Sequence, residues 1–568
     1  MIGLRNTSKT ARAGLAMLLL LGLTGLAACD KGGGEKKPES SATAEKSATD
    51  DGFRAGSKAD SFTFVVAADP ETFDTAKMTG APEGRIAMQL FEGLLIPGPT
   101  TEGLDDPKDL MRPGVAKSYD ISEDGKTYTF HLREDAKWSN GEPVTSADFV
   151  YSWKRILTPG FPADYVSMLY VIKGAEAYNK SKPEEADWET VGIRAPDAKT
   201  LEVELNNPTP FFPELTAFYT FFPVPEKAVE EFGDEWTRPE NIITNGAYEM
   251  TSYISQKEIK LKKSEHYWDA KNVAINEAMV RIIPDRNAVT NAYRAQELHW
   301  SGTSLPVSQI ADFITHPDYR RDPLLGVYYL RVNVSKEDSP LANADVRRAL
   351  SYATDRSSLV DDVLSGLYEA ANSYVPNNMP GYESTTTVDY NPRKAAESLK
   401  KAGYGEGGKA MPKITLLYNS DENHKLVAES IQKQWKSNLG VEIELVNKEW
   451  KIYLQDIDNL NYDVARAGWI GDYNDPMTFL EMFKTGDGNN DTGWSSEKYD
   501  GLLEAARAEA DPAKRVKILQ EAETILVTEG PIIPIYFYTN NVLVSRDVKG
   551  LEPHNRDIHL LKYMSLSE

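Results

Sequence analysis

A single cysteine in 568 residues, Cys29, closes the long apolar run at the start of the chain, so everything after it must fold without a disulfide or a thiolate-bound metal. A body of about 500 residues with no covalent staple has to be held by large hydrophobic cores, and chains of that length divide into two or three of them. The apolar fraction of 41% and aromatic fraction of 10% suit such cores. Upstream of Cys29, a basic start (Arg5, Lys9, Arg12) precedes the apolar stretch Ala13 to Leu26. That is the layout of a secretory signal over residues 1–28, too short and wrongly flanked for a membrane span. No second apolar run approaches spanning length.

The order Leu26-Ala27-Ala28-Cys29 is similar to the lipobox of bacterial lipoproteins, whose cysteine is acylated (palmitate is one such chain) and becomes the first mature residue. The alternative is an ordinary cleaved signal beside an incidental cysteine. A free thiol is normally avoided in exported proteins, which favours lipidation. After Cys29, residues 30–60 carry almost no apolar side chains beyond alanines and Phe53, and cannot bury enough surface to offset their ordering entropy. Residues 29–60 therefore read as an anchored tether of about 30 Å mean span. The expected location is the cell envelope: the periplasmic side of a membrane in a diderm, the outer face of the cytoplasmic membrane in a monoderm. The formal charge of −23 argues against a nucleic-acid partner.

Periodicity beyond residue 60 is mixed α/β, with no fixed-period repeat. Ser61 to Val66 and Lys126 to Leu132 alternate as strands do. A helix is expected after Pro82, with Ile86, Leu90 and Phe91 inward; another after Thr145, where Asp148 completes a capping box ahead of Phe149 and Trp153. Asn391-Pro392 opens a helix (Ala395, Leu399) that Gly403 ends. Strands at Ile414 to Tyr418 and Val441 to Val446 flank a helix bearing Leu426, Ile431 and Trp435, an order that implies a parallel α/β lobe.

Two motifs mislead. Gly403 to Lys409 has the spacing of a phosphate-binding loop, but Ala410 replaces the magnesium-binding hydroxyl and a helix precedes where a strand belongs. Asp487, Asn489 and Asp491 imitate a calcium loop, but Thr492 replaces its glycine and Lys498 its bidentate glutamate. The seven histidines (His131, His266, His299, His316, His424, His554, His559) are dispersed, with no HExxH, and there is no GxSxG elbow. No catalytic residue, metal or cofactor is expected.

One stretch stands above this background, Asn447 to Leu480. Tyr462 to Trp469 reads as a strand whose small residues Ala467 and Gly468 leave its backbone approachable, so that an extended ligand could pair with it. Asp472, three residues on, offers a carboxylate to an ammonium group, and Trp450 and Trp469 offer flat apolar walls. Residue types alone favour a plainer alternative, a buried strand followed by a structural turn at Asp472 to Pro476.

The same stretch closely resembles the peptide-binding region of bacterial oligopeptide-binding proteins, the receptors of ABC importers in solute-binding protein family 5. Leu90 to Leu95, Gly114 to Ala116, Tyr128 to Arg155, Asn245 to Tyr248, Tyr418-Asn419 and Asp463 to Trp469 all look like family segments, in family order, from about residue 62 to the C-terminus. The resemblance implies an α/β periplasmic-binding-protein-like fold with two hinged lobes and an extra α/β domain. Lobe I would comprise 61–92, 225–323 and 540–568, domain II 93–224, and lobe III 324–539. It further implies a monomeric receptor, not an enzyme, that captures short peptides between closing lobes. The receptor would hand them to permease and ATPase subunits.

Matched position by position, the resemblance implies that Asp472 pairs with the peptide's α-ammonium. Ala467, Gly468, Trp469 and Ile470 would form the backbone edge on one side of the ligand, and Thr79, Gly80 and Ala81 the edge on the other. Tyr165 would be an aromatic contact from domain II. Arg466 and His424 would be cationic partners for the C-terminal carboxylate, and Asn419, Trp450 and Tyr538 would line pockets. Leu364 and Ile457 stand where enteric relatives place further cations, and Gly326 and Ile470 where those place a cysteine pair. Relatives that carry murein peptides, metal chelates, haem or oligosaccharides define the alternative ligands, and a lipid-anchored peptidase the alternative class.

Overall fold

Alternation sets the first strand: in Ser61–Val66 the side chains of Phe62, Phe64 and Val66 are buried on one face. In the computed structural model, which describes residues 61–101 and 110–567, this strand edges a four-stranded sheet. It runs parallel to Glu277–Ile282, and Glu258–Lys263 and Tyr248–Ile254 follow antiparallel. The signal, Cys29 and the tether lie outside the described residues.

A second, all-antiparallel sheet contains Ala116–Ile121, Thr127–Leu132, Thr200–Glu204 and Ile193–Asp197. Over it lies the helix Ser146–Leu157, started by the expected capping box: the Thr145 N–H donates to Asp148 Oδ2 at 2.7 Å. Phe149 and Trp153 are fully buried, and the Trp153 indole N–H donates to the Phe221 carbonyl at 2.9 Å. From this region the short helix Asp164–Val171 carries Tyr165.

The third sheet has six strands, in the order Glu369–Ala370, Ile532–Leu543, Tyr319–Val332, Val464–Ile470, Ile414–Asn419, Ile443–Lys448. Ile414–Asn419 pairs parallel with Ile443–Lys448 around the helix Glu422–Leu439, as expected, although the second strand starts two residues later than the pattern suggested. The sheet as a whole is mixed, not parallel, because Tyr319–Val332 joins Val464–Ile470 and Ile532–Leu543 antiparallel. Those partners arrive from distant sequence, which local periodicity does not register.

The two long strands, Tyr319–Val332 and Ile532–Leu543, run from one sheet toward another. Their first and last thirds pair from Tyr319↔Leu543 to Pro323↔Thr539, and pairing resumes at Val327↔Phe537 after a register break. Proline cannot donate to a ladder, and Pro323 sits at that break. Beyond Leu543 the chain bridges Trp300, which in turn bridges Phe64 of the first sheet. The register break spans Pro323 to Val327 on one strand and Phe537 to Thr539 on the other.

Candidate site for a ligand amino group

The Val464–Ile470 strand is paired on both sides only at its start. Ile414–Asn419 contacts it through Leu416↔Val464 and Leu417↔Ala465. On the other side, pairing with Tyr319–Val332 extends through Val327↔Trp469 to Gly326↔Ile470. Among the described residues, no strand pairs with the remaining edge from Arg466 to Ile470, which contains the Ala467 to Ile470 edge expected to receive a ligand backbone. Its approachability depends on Gly468: a Cβ there would collide with the Tyr538 hydroxyl. Gly468→Val is expected to cost about 1–3 kcal/mol of stability by overpacking and to obstruct the edge. Urea denaturation checks this, and an unchanged midpoint would show that Tyr538 yields freely.

Asp472 follows this edge and is 9% exposed. Its carboxylate receives only hydroxyl contacts, from Tyr165 Oη at 3.4 Å and Thr478 Oγ1 at 3.4 Å, while its N–H donates to Thr478 Oγ1 at 2.9 Å. No cation lies within ion-pairing reach of the carboxylate among the described residues. Burial pushes its pKa up to about 8; the nearby Arg556 guanidinium pulls it down and Glu481 pushes it up, but neither outweighs the loss of water. A carboxyl whose folded pKa is raised binds its proton more tightly in the folded state. Its contribution to stability is therefore present below about pH 4 and is lost as pH rises toward 8. The stability of Asp472→Asn relative to the natural protein should accordingly grow between pH 4 and 8 in urea titrations. A pH-independent difference would contradict this.

Tyr165, 5% exposed, places its ring 5.9 Å from that of Trp469 and packs edge-on against Phe218 and Tyr219. Thus Tyr165 joins Asp472 and Trp469 in one group. A second group forms around Arg466: its Nε donates to Asn419 Oδ1 at 2.6 Å, and its guanidinium lies 5.8 Å from the Trp450 ring and 6.0 Å from Tyr328. Tyr328 links this group to Tyr538 (6.2 Å) and His424 (5.5 Å). At His424, burial, with help from Arg466 and Arg286 and against the opposing pull of Asp421, holds the pKa well below the usual value, which disfavours the cationic form that the resemblance implied.

Thr79, Gly80 and Ala81 precede and open the helix Ala81–Leu90, with Gly80 as N-cap. Among the described residues, no hydrogen bond joins them to the Asp472 group. The helix reaches that group through Gly84, which abuts the Tyr219 ring. Leu364 and Ile457 are core residues, 0% and 3% exposed, and Gly326 stands directly opposite Ile470. Sequence reasoning missed Arg556 and Glu214, which meet behind Asp472 with 3.3 Å between Nη1 and Oε2. Neither belongs to a motif, and only tertiary structure brings them together.

Fold and site together define an α/β ligand-binding protein of the periplasmic-binding-protein class, with an open strand edge ending in a buried carboxylate. The profile of the bacterial extracellular solute-binding proteins, family 5 (middle region) matches residues 111–491, and the chain belongs to that family. It is 39% identical over 481 residues to the oligopeptide-binding protein OppA of Bacillus subtilis, covering 82% of this chain and 86% of that one. The structure superposes on Haemophilus influenzae OppA in complex with RPPGFSPFR with a TM-score of 0.83 at 32% identity, covering 90% and 100% of the two chains. It superposes equally well, at 0.83 and 32%, on the Escherichia coli murein tripeptide-binding protein MppA, again covering 90% and 100%. Against an unliganded open form of MppA the score falls to 0.60 at 33% identity, with coverage of 90% and 98%. The conformation described here is therefore unlike that open one.

Proposed function

We propose that this chain is the receptor of an ABC importer for short peptides, and that it binds them in extended form along Arg466–Ile470 with the amino end at Asp472. The observation that carries the reading is a buried carboxylate that has no cationic partner among the described residues, at the end of a strand edge that none of them pairs with. Main-chain pairing is indifferent to side chains, which suits a receptor of varied peptides, while a single ion pair formed at the amino end sets polarity and register. Arg466, stacked among aromatic rings and hydrogen-bonded by one nitrogen to Asn419, is the cation placed for a ligand's carboxylate. The neutral His424 beside it would serve as a hydrogen-bonding partner.

The broken pair of long strands acts as the hinge between lobe I (61–92, 225–323, 540–568) and lobe III (324–539), with 93–224 as domain II. Closure over a peptide follows from its higher affinity for the closed form. The superposition scores against the two MppA structures are consistent with this motion. The chain works as a binding protein without chemistry of its own, as a monomer held at the envelope by lipid on Cys29, and passes its ligand to permease and ATPase subunits. Mass spectrometry of ligands retained through purification tests the reading. Peptides with free amino ends are expected; a solute with no primary amine would overturn it.

A further inference from the structure

Four carboxylates surround the turn that follows the strand edge, and three have a guanidinium of their own. Asp475 receives two bonds from Arg515, at 2.6 and 2.8 Å; Glu481 pairs with Arg507 at 2.9 Å; Glu214 pairs with Arg556 at 3.3 Å. Asp472 is the fourth. The Glu214 and Arg556 side chains are 2% and 3% exposed, so this pairing takes place out of water.

Arg556 has capacity to spare. Its Nη1 faces Glu214 and also donates to the Asp472 carbonyl, while Nε and Nη2 have no hydrogen-bond partner among the described residues. A guanidinium with two idle donors thus touches the residue that carries the unpaired carboxylate. Glu214 holds it aside, and Glu214 is itself fixed: its Oε2 accepts from the Asn474 N–H at 3.2 Å and from Asn474 Nδ2 at 2.8 Å, and Asn555 Nδ2 donates to Asn474 Oδ1 at 2.7 Å. An internal cation on Asp472 would compete with any ligand ammonium, because a buried carboxylate gains little from a second positive charge once the first has neutralised it.

We propose that Glu214 is a specificity-determining residue: by engaging Arg556 it keeps that guanidinium from pairing with the Asp472 side chain, so the site holds no cationic partner of its own for an Asp472 carboxylate. A ligand with a free amino end supplies that partner. Selectivity then comes from an unpaired group that penalises the wrong ligand, not from an added contact to the right one. This inference rests on the reading of Asp472 as the ammonium partner.

Calorimetry with one tripeptide, free and N-acetylated, tests it on the natural protein and on two variants. The natural protein should prefer the free amine by several hundred-fold. In Glu214→Gln, Arg556 turns its idle donors to the Asp472 carboxylate, and the preference should fall at least tenfold, chiefly through weaker binding of the free amine. In Arg556→Met no internal cation competes, and the preference should be retained or increased. A folded Glu214→Gln protein with undiminished preference overturns the proposal. So does an Arg556→Met protein that loses the preference, because the pair would then act only by holding the structure; this arm decides the matter if Glu214→Gln does not fold. A natural protein without any preference would instead remove the reading of Asp472 itself, and this inference with it.

Discussion

Asp472→Ala is expected to weaken binding of a free-amine tri- or tetrapeptide by about 3–5 kcal/mol, several hundred-fold or more. The argument turns on what each state leaves unpaired. In the natural protein the carboxyl group is enclosed, with hydroxyl partners only among the described residues; burial pushes its pKa up to about 8, so at neutral pH it keeps its proton until an arriving ammonium displaces it and stabilises the carboxylate. Both ions lose water on pairing, so the intact pair contributes modest net affinity. Removing the carboxylate is different, because the ligand's ammonium is then buried with no compensation, and that is where the large figure originates. Isothermal calorimetry at neutral pH measures it directly. A loss below fivefold would mean that the amino end of the ligand lies elsewhere.

The second large effect is expected at Asp421. Arg286 Nε contacts its Oδ2 at 2.5 Å, with side chains only 12% and 7% exposed, and Arg286 Nη1 also donates to the Ser304 carbonyl at 2.6 Å. Asp421 is at the same time the N-cap of Glu422–Leu439, accepting from the His424 N–H at 3.1 Å. Asp421→Asn would leave a buried guanidinium unpaired and should lower stability by about 3–5 kcal/mol in urea denaturation. Burial alone would raise the Asp421 carboxyl, but Arg286 beside it reverses the balance and holds its pKa well below the usual carboxylate range. A depressed pKa contributes stability that is present above about pH 4 and is lost as pH falls further. The gap between the natural protein and Asp421→Asn should therefore shrink on going from pH 7 to pH 3. A gap under about 1 kcal/mol at pH 7 would show that Arg286 finds other partners.

Much of the architecture was legible where the information is local. The Thr145–Asp148 capping box, the alternation through Tyr128, Phe130 and Leu132, and the Asn391-Pro392 helix start each depend on a few neighbouring residues, and each forms. Ala467, Gly468 and Asp472 could be singled out because small residues before an acidic one are unusual within a strand and turn. Their joining with Tyr165 came from family resemblance, since 307 residues separate Tyr165 from Asp472.

What remained hidden depends on long-range pairing. Tyr319–Val332 begins with polar residues and contains Pro323, so no local pattern marks a strand that organises the six-stranded sheet. The antiparallel partners that make this sheet mixed come from opposite ends of the C-terminal half. His424 reads as a cation until Arg466 and Arg286 are known to flank it in a buried site. Arg556 and Glu214 look like ordinary charged residues until the fold encloses them together.

The most direct test of the account is a crystal structure of the protein with a bound tripeptide. The ligand's amino nitrogen should lie within about 3 Å of an Asp472 carboxylate oxygen, a charge-assisted hydrogen bond, with the peptide backbone paired along Arg466 to Ile470. A peptide running in the opposite direction, or an Asp472 side chain turned to solvent, would contradict the central claim.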